Sequence, residues 1–184
     1  MNKIYIISGP SGVGKGTLVK ALVENKNLNL EWGKTATTRP QRKDDPQAAK
    51  HLYLSEKEFK EKIEAGEFVE SNFFNNHYYG TLKSEIENAK TNLIFEIDVN
   101  GGLNIKKLYP DKTVLIFITA PIKDIKKRLE DRKANTPGEI EARLKIAQKE
   151  LKKAKEYDYH LENPQGHPEK AITKLEKIIE TTSN

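Results

Sequence analysis

The residues with the clearest chemical potential form a glycine-rich stretch directly behind an apolar, strand-forming segment at residues 4–7. In order, the stretch reads Gly9, Pro10, Ser11, Gly12, Val13, Gly14, Lys15, Gly16 and Thr17. A strand that ends in such a turn and opens into a helix is the context of a phosphate-binding loop. Glycines let backbone N–H groups converge on an anion, and a helix start adds free amides and the positive end of its dipole. The stretch therefore predicts a site for nucleotide phosphates, with Lys15 at the β- and γ-phosphates; the alternative is a structural glycine turn with a chance lysine.

The loop departs from the strict phosphate-loop motif at one position. In G-x-x-x-x-G-K-[ST] the residue after the lysine carries a hydroxyl that binds Mg²⁺, whereas here Gly16 follows Lys15 and a hydroxyl comes only at Thr17. A G-K-G-T ending is similar to the loop of nucleoside monophosphate kinases, in which Mg²⁺ is held more by water and by the triphosphate. Thr17 is therefore a candidate Mg²⁺ ligand.

A second chemical feature is an acid at the end of an apolar segment, residues 92–98, which predicts a strand closing on Asp98. In phosphate-loop enzymes a carboxylate at this place orients hydrated Mg²⁺. We expect residues 100–102 to turn the chain into a helix that runs through Leu103. Residues 113–118 are wholly apolar, as in a strand of a parallel sheet. Strands that alternate with helices around a phosphate loop predict a doubly wound α/β core.

Arg39 and Arg42 lie three positions apart in a segment where Pro40 forbids a helix interior. In an extended chain the two cations would point about 10 Å apart, so the segment is expected to curl around an anion. The pair therefore indicates a phosphate-binding segment.

Three further arginines lie on predicted helices. Arg128 and Arg132 are four positions apart and face the same way, which is unfavourable unless an anion lies between them. Arg143 lies just off the apolar stripe of the next helix. The pattern alone favours ordinary helix-surface charge over a phosphate-binding role for these three residues.

Composition narrows the class of protein. At 184 residues the chain is long enough for one domain with one hydrophobic core. It has no cysteine, which excludes disulfides and thiolate metal sites, and no apolar run near the about 18 residues of a membrane span. The first strand starts too early to leave room for a signal segment, so we expect a cytoplasmic protein. The formal net charge is +5, but charges of both signs are interleaved, so we expect neither a nucleic-acid nor a membrane partner.

Residues 34–82 are mixed, irregular and aromatic, unlike the alternating strands and helices on either side. Within them, a capping box at Ser55 and a terminating Gly66 predict a helix. A second capping box at Thr136, with Pro137 at the first helical position, predicts another helix. Further expected elements are strands at residues 28–32, 51–54, 67–74 and 159–161 and a closing helix that carries residues 171–179.

Taken together, these motifs resemble the guanylate kinase family over nearly the whole chain. Those that carry the resemblance are the loop, Thr37-Thr38-Arg39-Pro40-Gln41-Arg42, G-E-F-V-E at 66–70, Y-Y-G-T at 78–81, E-I-D at 96–98, and Arg128-Leu129-x-x-Arg132 followed by Arg143-Leu144. The loop and the arginines would fit any monophosphate kinase. The combination of T-T-R-P-x-R with E-F-x-E and Y-Y-G-T is similar to the guanylate branch only.

The resemblance implies ATP-dependent phosphorylation of GMP, and of dGMP, on a phosphate-loop kinase core with a small mixed α+β GMP-binding insertion and a helical lid. Residues implied to hold the GMP phosphate are Arg39, Arg42, His51 and Tyr79, and those implied to read the guanine are Thr35, Glu70, Thr81 and Glu96. Lys15 and the loop amides would bind ATP, with Asp98 orienting Mg²⁺. The lid arginines Arg128, Arg132 and Arg143 would close over the transferring phosphoryl group.

The chain departs from the family pattern at several places. His51 stands where a tyrosine usually touches the GMP phosphate, and Asp45 where a glutamate is usual. Glu96 replaces the usual aspartate and is one methylene longer, while Lys133 replaces a glycine. Residues 163–167 differ from the family's short acidic turn.

The implied organisation has three parts. We expect a core of residues 1–33, 83–123 and 151–184, a GMP-binding domain of residues 34–82 and a lid of residues 124–150, in a monomer or small homo-oligomer. One alternative is a non-catalytic guanylate-kinase-like module that binds protein partners, but such modules lose the phosphate loop. Another is a related small-molecule phosphate kinase on the same core, which would lack T-T-R-P-x-R and Y-Y-G-T.

Overall fold

The computed structural model describes residues 2–41, 48–74, 76–131 and 136–183. The strands are β1 (Ile4–Ser8), β2 (Leu30–Trp32), β3 (Thr35–Thr37), β4 (His51–Tyr53), β5 (Phe68–Phe74), β6 (His77–Leu82), β7 (Asn92–Glu96), β8 (Thr113–Thr119) and β9 (Tyr159–Glu162). The α-helices are α1 (Lys15–Glu24), α2 (Glu56–Glu64), α3 (Lys83–Glu87), α4 (Val99–Leu108), α5 (Ile122–Asp131), α6 (Pro137–Lys153) and α7 (Pro168–Thr182). Short 3₁₀ helices span Lys26–Leu28, Ala48–Lys50 and Ala154–Glu156.

A five-stranded parallel sheet in the order β2-β7-β1-β8-β9 forms the core. Its central strands β1, β7 and β8 are mostly apolar and buried, because helices cover both faces. In β1, Tyr5 and Ile7 pack with α1, α5 and α7, whereas Ile4 and Ile6 pack with α4 on the other face. The weak alternation at residues 28–32 becomes the edge strand β2, and Leu28 itself lies in a 3₁₀ helix.

A second, four-stranded sheet has the order β4-β3-β6-β5 and lies entirely within residues 35–82. Strands β3 and β4 are parallel, and the other neighbours are antiparallel. Helix α2 packs on this sheet through Phe59, which is fully buried and stacks on Phe68 with ring centroids 4.4 Å apart. Because the resemblance implies that these residues bind the phosphoryl acceptor, we call this sheet, together with α2, the acceptor sheet. No helix in the described ranges is long and apolar enough to cross a membrane.

Both predicted capping boxes are confirmed. The Ser55 hydroxyl accepts from the Glu58 amide while the Glu58 carboxylate accepts from Ser55, and Thr136 and Glu139 do the same for α6. Gly66 ends the α2 segment with φ of 66°, in the left-handed region that glycine occupies without strain.

The predicted turn at residues 100–102 is wrong, because these residues lie in the first turn of α4. Strand β7 ends at Glu96, and the Asp98 carboxylate caps the helix by accepting from the amides of Asn100 and Gly101 at 2.9 and 3.1 Å. Gly102 serves close packing instead of a turn, since a Cβ there would lie 2.6 Å from the Tyr157 hydroxyl oxygen.

Candidate active site

The glycine-rich loop joins β1 to α1 and adopts backbone angles that only glycine accepts readily. Gly9, Gly12 and Gly14 have φ of 142°, 90° and 93°. A Cβ at Gly9 would lie 2.1 Å from the Ile118 carbonyl oxygen, and one at Gly14 would lie 2.6 Å from Nδ2 of Asn163. The loop therefore packs closely against β8 and against the segment after β9.

The loop opens onto the amino end of α1. The Leu18 amide donates to the Gly14 carbonyl at 3.2 Å, so the amides of the residues between them precede the helical hydrogen-bond ladder. Those amides and the helix dipole form an anion cradle. The Lys15 ammonium folds back over the loop and donates to the carbonyls of Gly9 and Pro10 at 2.6 and 3.2 Å.

Arg128 and Asn163 hold the loop from outside. The Val13 carbonyl accepts from Nη1 of Arg128 at 3.0 Å and from the buried Nδ2 of Asn163 at 2.7 Å. Nη2 of Arg128 also donates to the Asn163 carbonyl at 3.0 Å, and its Nε donates to Gln165 at 2.6 Å. The predicted lid arginine Arg128 thus lies beside the loop, with its guanidinium fork engaged by protein groups.

Arg143 reaches the loop from α6, where its Nη1 donates to the Ser11 hydroxyl at 2.9 Å. The predicted Arg42 and Arg132, together with the departures Asp45 and Lys133, lie outside the described residues.

An open cavity of about 330 Å³ lies next to the loop; its lining includes Gly12, Gly14, Thr17, Arg128, Asn163 and Pro164.

Asp98 lies at the carboxyl end of the core sheet, between β7 and α4. One carboxylate oxygen caps α4, while Oδ2 accepts from Nδ2 of Asn72 at 3.4 Å. Because Asn72 belongs to β5, this contact joins the acceptor sheet to the end of the core sheet. Thr17 is exposed on the first turn of α1, with its hydroxyl available to solvent or a ligand.

A second acid lies near the loop. Burial raises the pKa of Glu150, the positive charge of Lys15 opposes that shift, and the negative charge of Asp98 adds to it. Glu150 lies two turns after Arg143 on α6, hence on the same face of the helix. The helix end is fixed nearby, since the Lys153 ammonium donates to Oδ1 of Asn100 at 2.6 Å.

Glu70 and Thr81 face each other on the paired strands β5 and β6. The Thr81 hydroxyl donates to Oε1 of Glu70 at 2.8 Å. Burial raises the pKa of Glu70 to about 7, with the charge of Asp98 adding to the shift and the Thr81 hydrogen bond opposing it. A Cβ built on Gly101 would lie 3.0 Å from Oε2 of Glu70, so this carboxylate is close to the start of α4.

Three other predicted GMP-binding residues, Thr35, His51 and Tyr79, lie on β3, β4 and β6, respectively. Thr35 and His51 are paired across β3 and β4, with the Thr35 hydroxyl 2.9 Å from Nδ1 of His51. Tyr79 is half-buried on β6 opposite Thr37. The Thr37 hydroxyl accepts from the Arg39 amide at 3.1 Å, which fixes the start of the arginine segment.

Glu96, the last residue of β7, is engaged by a residue that the sequence motifs did not mark. Its Oε2 accepts from the Lys50 ammonium at 3.1 Å. The structure thus brings Glu96 to the boundary between the two sheets.

The family model for guanylate kinase matches residues 1–182. The chain belongs to the guanylate kinase family. A guanylate kinase of Mesomycoplasma hyopneumoniae strain 7448 is 41% identical over 188 aligned residues, which cover 97% of this chain and 94% of the relative. A guanylate kinase of Porphyromonas gingivalis is 39% identical over 168 residues and 89% of each chain. The crystal structure of guanylate kinase from Anaplasma phagocytophilum shares the fold, with a TM-score of 0.78 at 22% identity over 99% of this chain and 86% of that chain.

Membership of the guanylate kinase family and the shared fold confirm the predicted phosphate-loop kinase architecture. Sequence motifs did not reveal that Lys50, Asn163 and Glu150 lie beside the predicted site residues. Lys50 and Asn163 act on residues 46 and 150 positions away, respectively, so no local spacing marks them. Helical periodicity could have supplied one signal, because the partly buried Glu150 lies seven residues after Arg143 and hence on the same face of α6.

Proposed function

We propose that this guanylate kinase transfers the γ-phosphoryl group of ATP to GMP, and to dGMP, giving ADP and GDP or dGDP. The observation that carries the proposal is the proximity of two different sites. A preformed phosphate loop precedes α1, and the partly buried carboxylate of Glu70 lies close enough to Asp98 for the two negative charges to interact. The Asn72–Asp98 contact joins the sheets that carry these sites.

On the donor side, the loop amides and Lys15 bind the β- and γ-phosphates of ATP. Lys15 now donates to carbonyls of its own loop, and those weak neutral acceptors are readily exchanged for phosphate oxygens, because charge-assisted hydrogen bonds are stronger. The cavity beside the loop offers room for the rest of the donor nucleotide.

The residues near the loop also suit Mg²⁺. Asp98 is fixed as a helix cap through one oxygen and presents the other toward Asn72, which suits a carboxylate that orients metal-bound water. Thr17 supplies a hydroxyl at the start of α1. When bound with ATP, Mg²⁺ neutralises charge on the phosphates in the transition state.

On the acceptor side, Glu70 selects guanine. Guanine presents N1–H and N2–H₂ as adjacent donors, and an ionised carboxylate accepts from both, whereas adenine presents an acceptor at N1. Thr81 orients this carboxylate by donating to Oε1. Further contacts to the base come from Thr35 and Glu96, and the GMP phosphate is held by Arg39, Arg42, His51 and Tyr79.

Transfer itself is mostly positioning and charge neutralisation, without a covalent enzyme intermediate. Arg128 and Arg143 already contact Val13 and Ser11 of the loop, so they lie where cations can approach the transferring phosphoryl group. We propose Arg132 as the third such cation. We also propose that residues 34–82 and residues 124–150 both move toward the core when both nucleotides bind, which excludes water from the transfer site.

A coupled ADP-release assay tests the proposal by offering GMP, dGMP, AMP, CMP and UMP in turn with Mg²⁺ and ATP. GMP and dGMP should be turned over and the other three should give little ADP. Turnover of none of the five would favour the non-catalytic module, which the intact loop and Lys15 speak against.

A further inference from the structure

Lys50 connects the acceptor sheet to the core sheet through its side chain. It ends the 3₁₀ helix Ala48–Lys50, immediately before β4. Its Nζ lies 3.1 Å from Oε2 of Glu96 and 4.9 Å from the centroid of the Trp32 ring. Glu96 and Trp32 are the last residues of the neighbouring core strands β7 and β2. One cation of the acceptor sheet is therefore held by two residues of the core.

This ion pair is far more buried than a typical surface pair. The Lys50 and Glu96 side chains are only 10% and 22% exposed, compared with 87% and 60% for Lys57 and Glu61 on α2. Exposed pairs are screened by water and contribute little, whereas removing one partner of a buried pair leaves a charge that the protein cannot solvate. The Trp32 ring adds a cation–π contact that stabilises the same ammonium position.

The pair spans the point where the chain passes from core to acceptor sheet. The Gly33 amide still belongs to the core, since it donates to the Ile94 carbonyl at 2.9 Å, and two residues later Thr35 pairs with His51 in the acceptor sheet. Lys50 immediately precedes His51 and reaches back over this connection. Its contact therefore fixes β4, with His51 and its partner Thr35, relative to the end of β7.

We propose that Lys50 is a positioning residue for the acceptor nucleotide, which holds the Glu96 carboxylate and fixes the acceptor sheet on the core in the orientation that binds GMP. This inference rests on the proposed function. By engaging Oε2, Lys50 leaves Oε1 of Glu96 for a donor of the base. Its positive charge also offsets that of Glu96, so that the carboxylate does not repel the phosphate dianion of GMP.

The first test is steady-state kinetics of Lys50→Met, Lys50→Arg, Glu96→Gln and the double variant Lys50→Met/Glu96→Gln. Lys50→Met keeps an unbranched stem of four heavy atoms and removes the ammonium group, so the KM for GMP should rise about tenfold while the KM for ATP changes less than about twofold. Lys50→Arg should restore most of the GMP affinity. In the double variant the KM for GMP should rise no further than in the single variant with the larger rise, because the two residues act as one unit.

Lys60→Met is the matched control. Lys60 also pairs with a glutamate, Glu56 at 3.5 Å, and also lies over an aromatic ring, Tyr78 at 5.7 Å, but its side chain is 53% exposed. Both of its partners belong to the acceptor sheet, so this pair does not connect that sheet to the core and the KM for GMP should change less than about twofold. Three results would overturn the proposal. The KM for GMP could rise equally in Lys50→Met and Lys60→Met, or Lys50→Met could change the KM values for GMP and ATP equally. The effects of Lys50→Met and Glu96→Gln on the KM for GMP could also be additive in the double variant. Wild-type turnover of GMP tests the proposed function separately.

A distance measurement tests the positioning role without turnover. The chain has no cysteine, so Lys20→Cys on α1 and Lys57→Cys on α2 can carry a pair of spin labels, and both lysines are well exposed. Pulsed electron paramagnetic resonance of the nucleotide-free protein should give a narrow distance distribution that broadens with Lys50→Met and not with Lys60→Met. The same distribution in all three backgrounds would show that Lys50 does not fix the acceptor sheet.

Discussion

The proposed donor and acceptor sides of the site are built from different parts of the chain. The donor loop uses backbone amides and glycine conformations within nine consecutive residues, packed against β8 and Asn163. The acceptor sheet uses side chains from separate strands that bond to one another, such as Thr81 to Glu70 and Thr35 to His51. The backbone cradle does not titrate, whereas the Glu70 carboxylate on the acceptor side does, with a pKa raised to about 7 by burial.

This difference predicts how each side responds to change. Donor-side phosphate binding should depend on the loop backbone, on Lys15 and on the nearby arginines, and it should vary little with pH near neutrality because these cations stay charged there. The acceptor side should be sensitive to single substitutions and to pH, because Glu70 has a pKa near the working range.

The largest expected effect is on the donor side. In Lys15→Ala, kcat should fall about 10²- to 10³-fold, because a preorganised charge at the transferring phosphoryl group is lost. Lys20→Ala on the exposed face of α1 is the matched control and should keep full activity. Single-turnover kinetics with Mg²⁺ and ATP would measure the loss, and a Lys15→Ala enzyme with more than a few per cent of the wild-type kcat would contradict the donor assignment.

The next largest effect is on base recognition. In Glu70→Gln an amide presents one acceptor to two guanine donors, so kcat/KM for GMP should fall about 5- to 150-fold. The ratio of kcat/KM for GMP to that for AMP should fall with it. Glu67→Gln nearby is the control, since Glu67 pairs with Lys62 at the surface and is 47% exposed. An unchanged ratio in Glu70→Gln would mean that the glutamate does not read the base.

The same substitution should stabilise the nucleotide-free protein at high pH. Because the pKa of Glu70 is raised to about 7 in the folded state, the unfolded chain loses this proton first as pH rises, and ionisation then disfavours the fold. The penalty is absent below about pH 4.5, grows up to about pH 7 and then stays constant, with an upper size of ~3 kcal/mol. Urea denaturation should therefore show a gain in unfolding free energy for Glu70→Gln at pH 8 and little difference at pH 4.5. An equal gain at both pH values would contradict the buried-carboxylate account.

The smallest expected effect is the pH dependence of GMP binding, where two acceptor residues oppose each other. Glu70 must be ionised to accept from guanine, so its contribution strengthens as pH rises through about 7. An imidazole titrates near pH 6.5, and a charged His51 near the phosphate would strengthen binding as pH falls from 8 toward about 6.5. Below this, the phosphate takes up its own proton near pH ~6.

Dissociation constants for GMP across pH 6.5–8.5 would separate the two contributions. In His51→Tyr the rise of affinity with pH should become steeper, and in Glu70→Gln the opposite slope should remain. If wild type and His51→Tyr give the same profile, His51 is not a phosphate ligand, and its bond to Thr35 is a structural contact within the acceptor sheet.

Sequence patterns predicted the glycine-rich loop between β1 and α1 and the helix starts well, because both depend on residues close together in the chain. The phosphate loop, the capping boxes at Ser55 and Thr136 and the edge strand β2 were all predicted from spacing alone. The start of α4 was not, because Gly101 and Gly102 have the composition of a turn but serve contacts with Glu70 and Tyr157.

The supporting contacts of the site could not be predicted from spacing. The buried pair of Lys50 and Glu96 and the bond from Asn163 to Val13 join distant parts of the chain. The contacts of Arg128 could not be predicted either. Its position on a predicted helix surface indicated ordinary surface charge or an anion site, whereas in the structure its guanidinium donates to the carbonyls of Val13 and Asn163. Such contacts follow from the packing of whole elements.

The separation of donor and acceptor sides can be tested directly by calorimetric titration of Lys15→Ala and Glu70→Gln, each with GMP and with a non-hydrolysable ATP analogue plus Mg²⁺. We expect Lys15→Ala to weaken binding of the ATP analogue and to leave the dissociation constant for GMP within about twofold of the wild-type value. Glu70→Gln should weaken binding of GMP and leave the dissociation constant for the ATP analogue within about twofold. If either variant weakened both nucleotides by the same factor, the two sides would not be separately built, and the assignment of backbone cradle to donor and side-chain network to acceptor would be wrong.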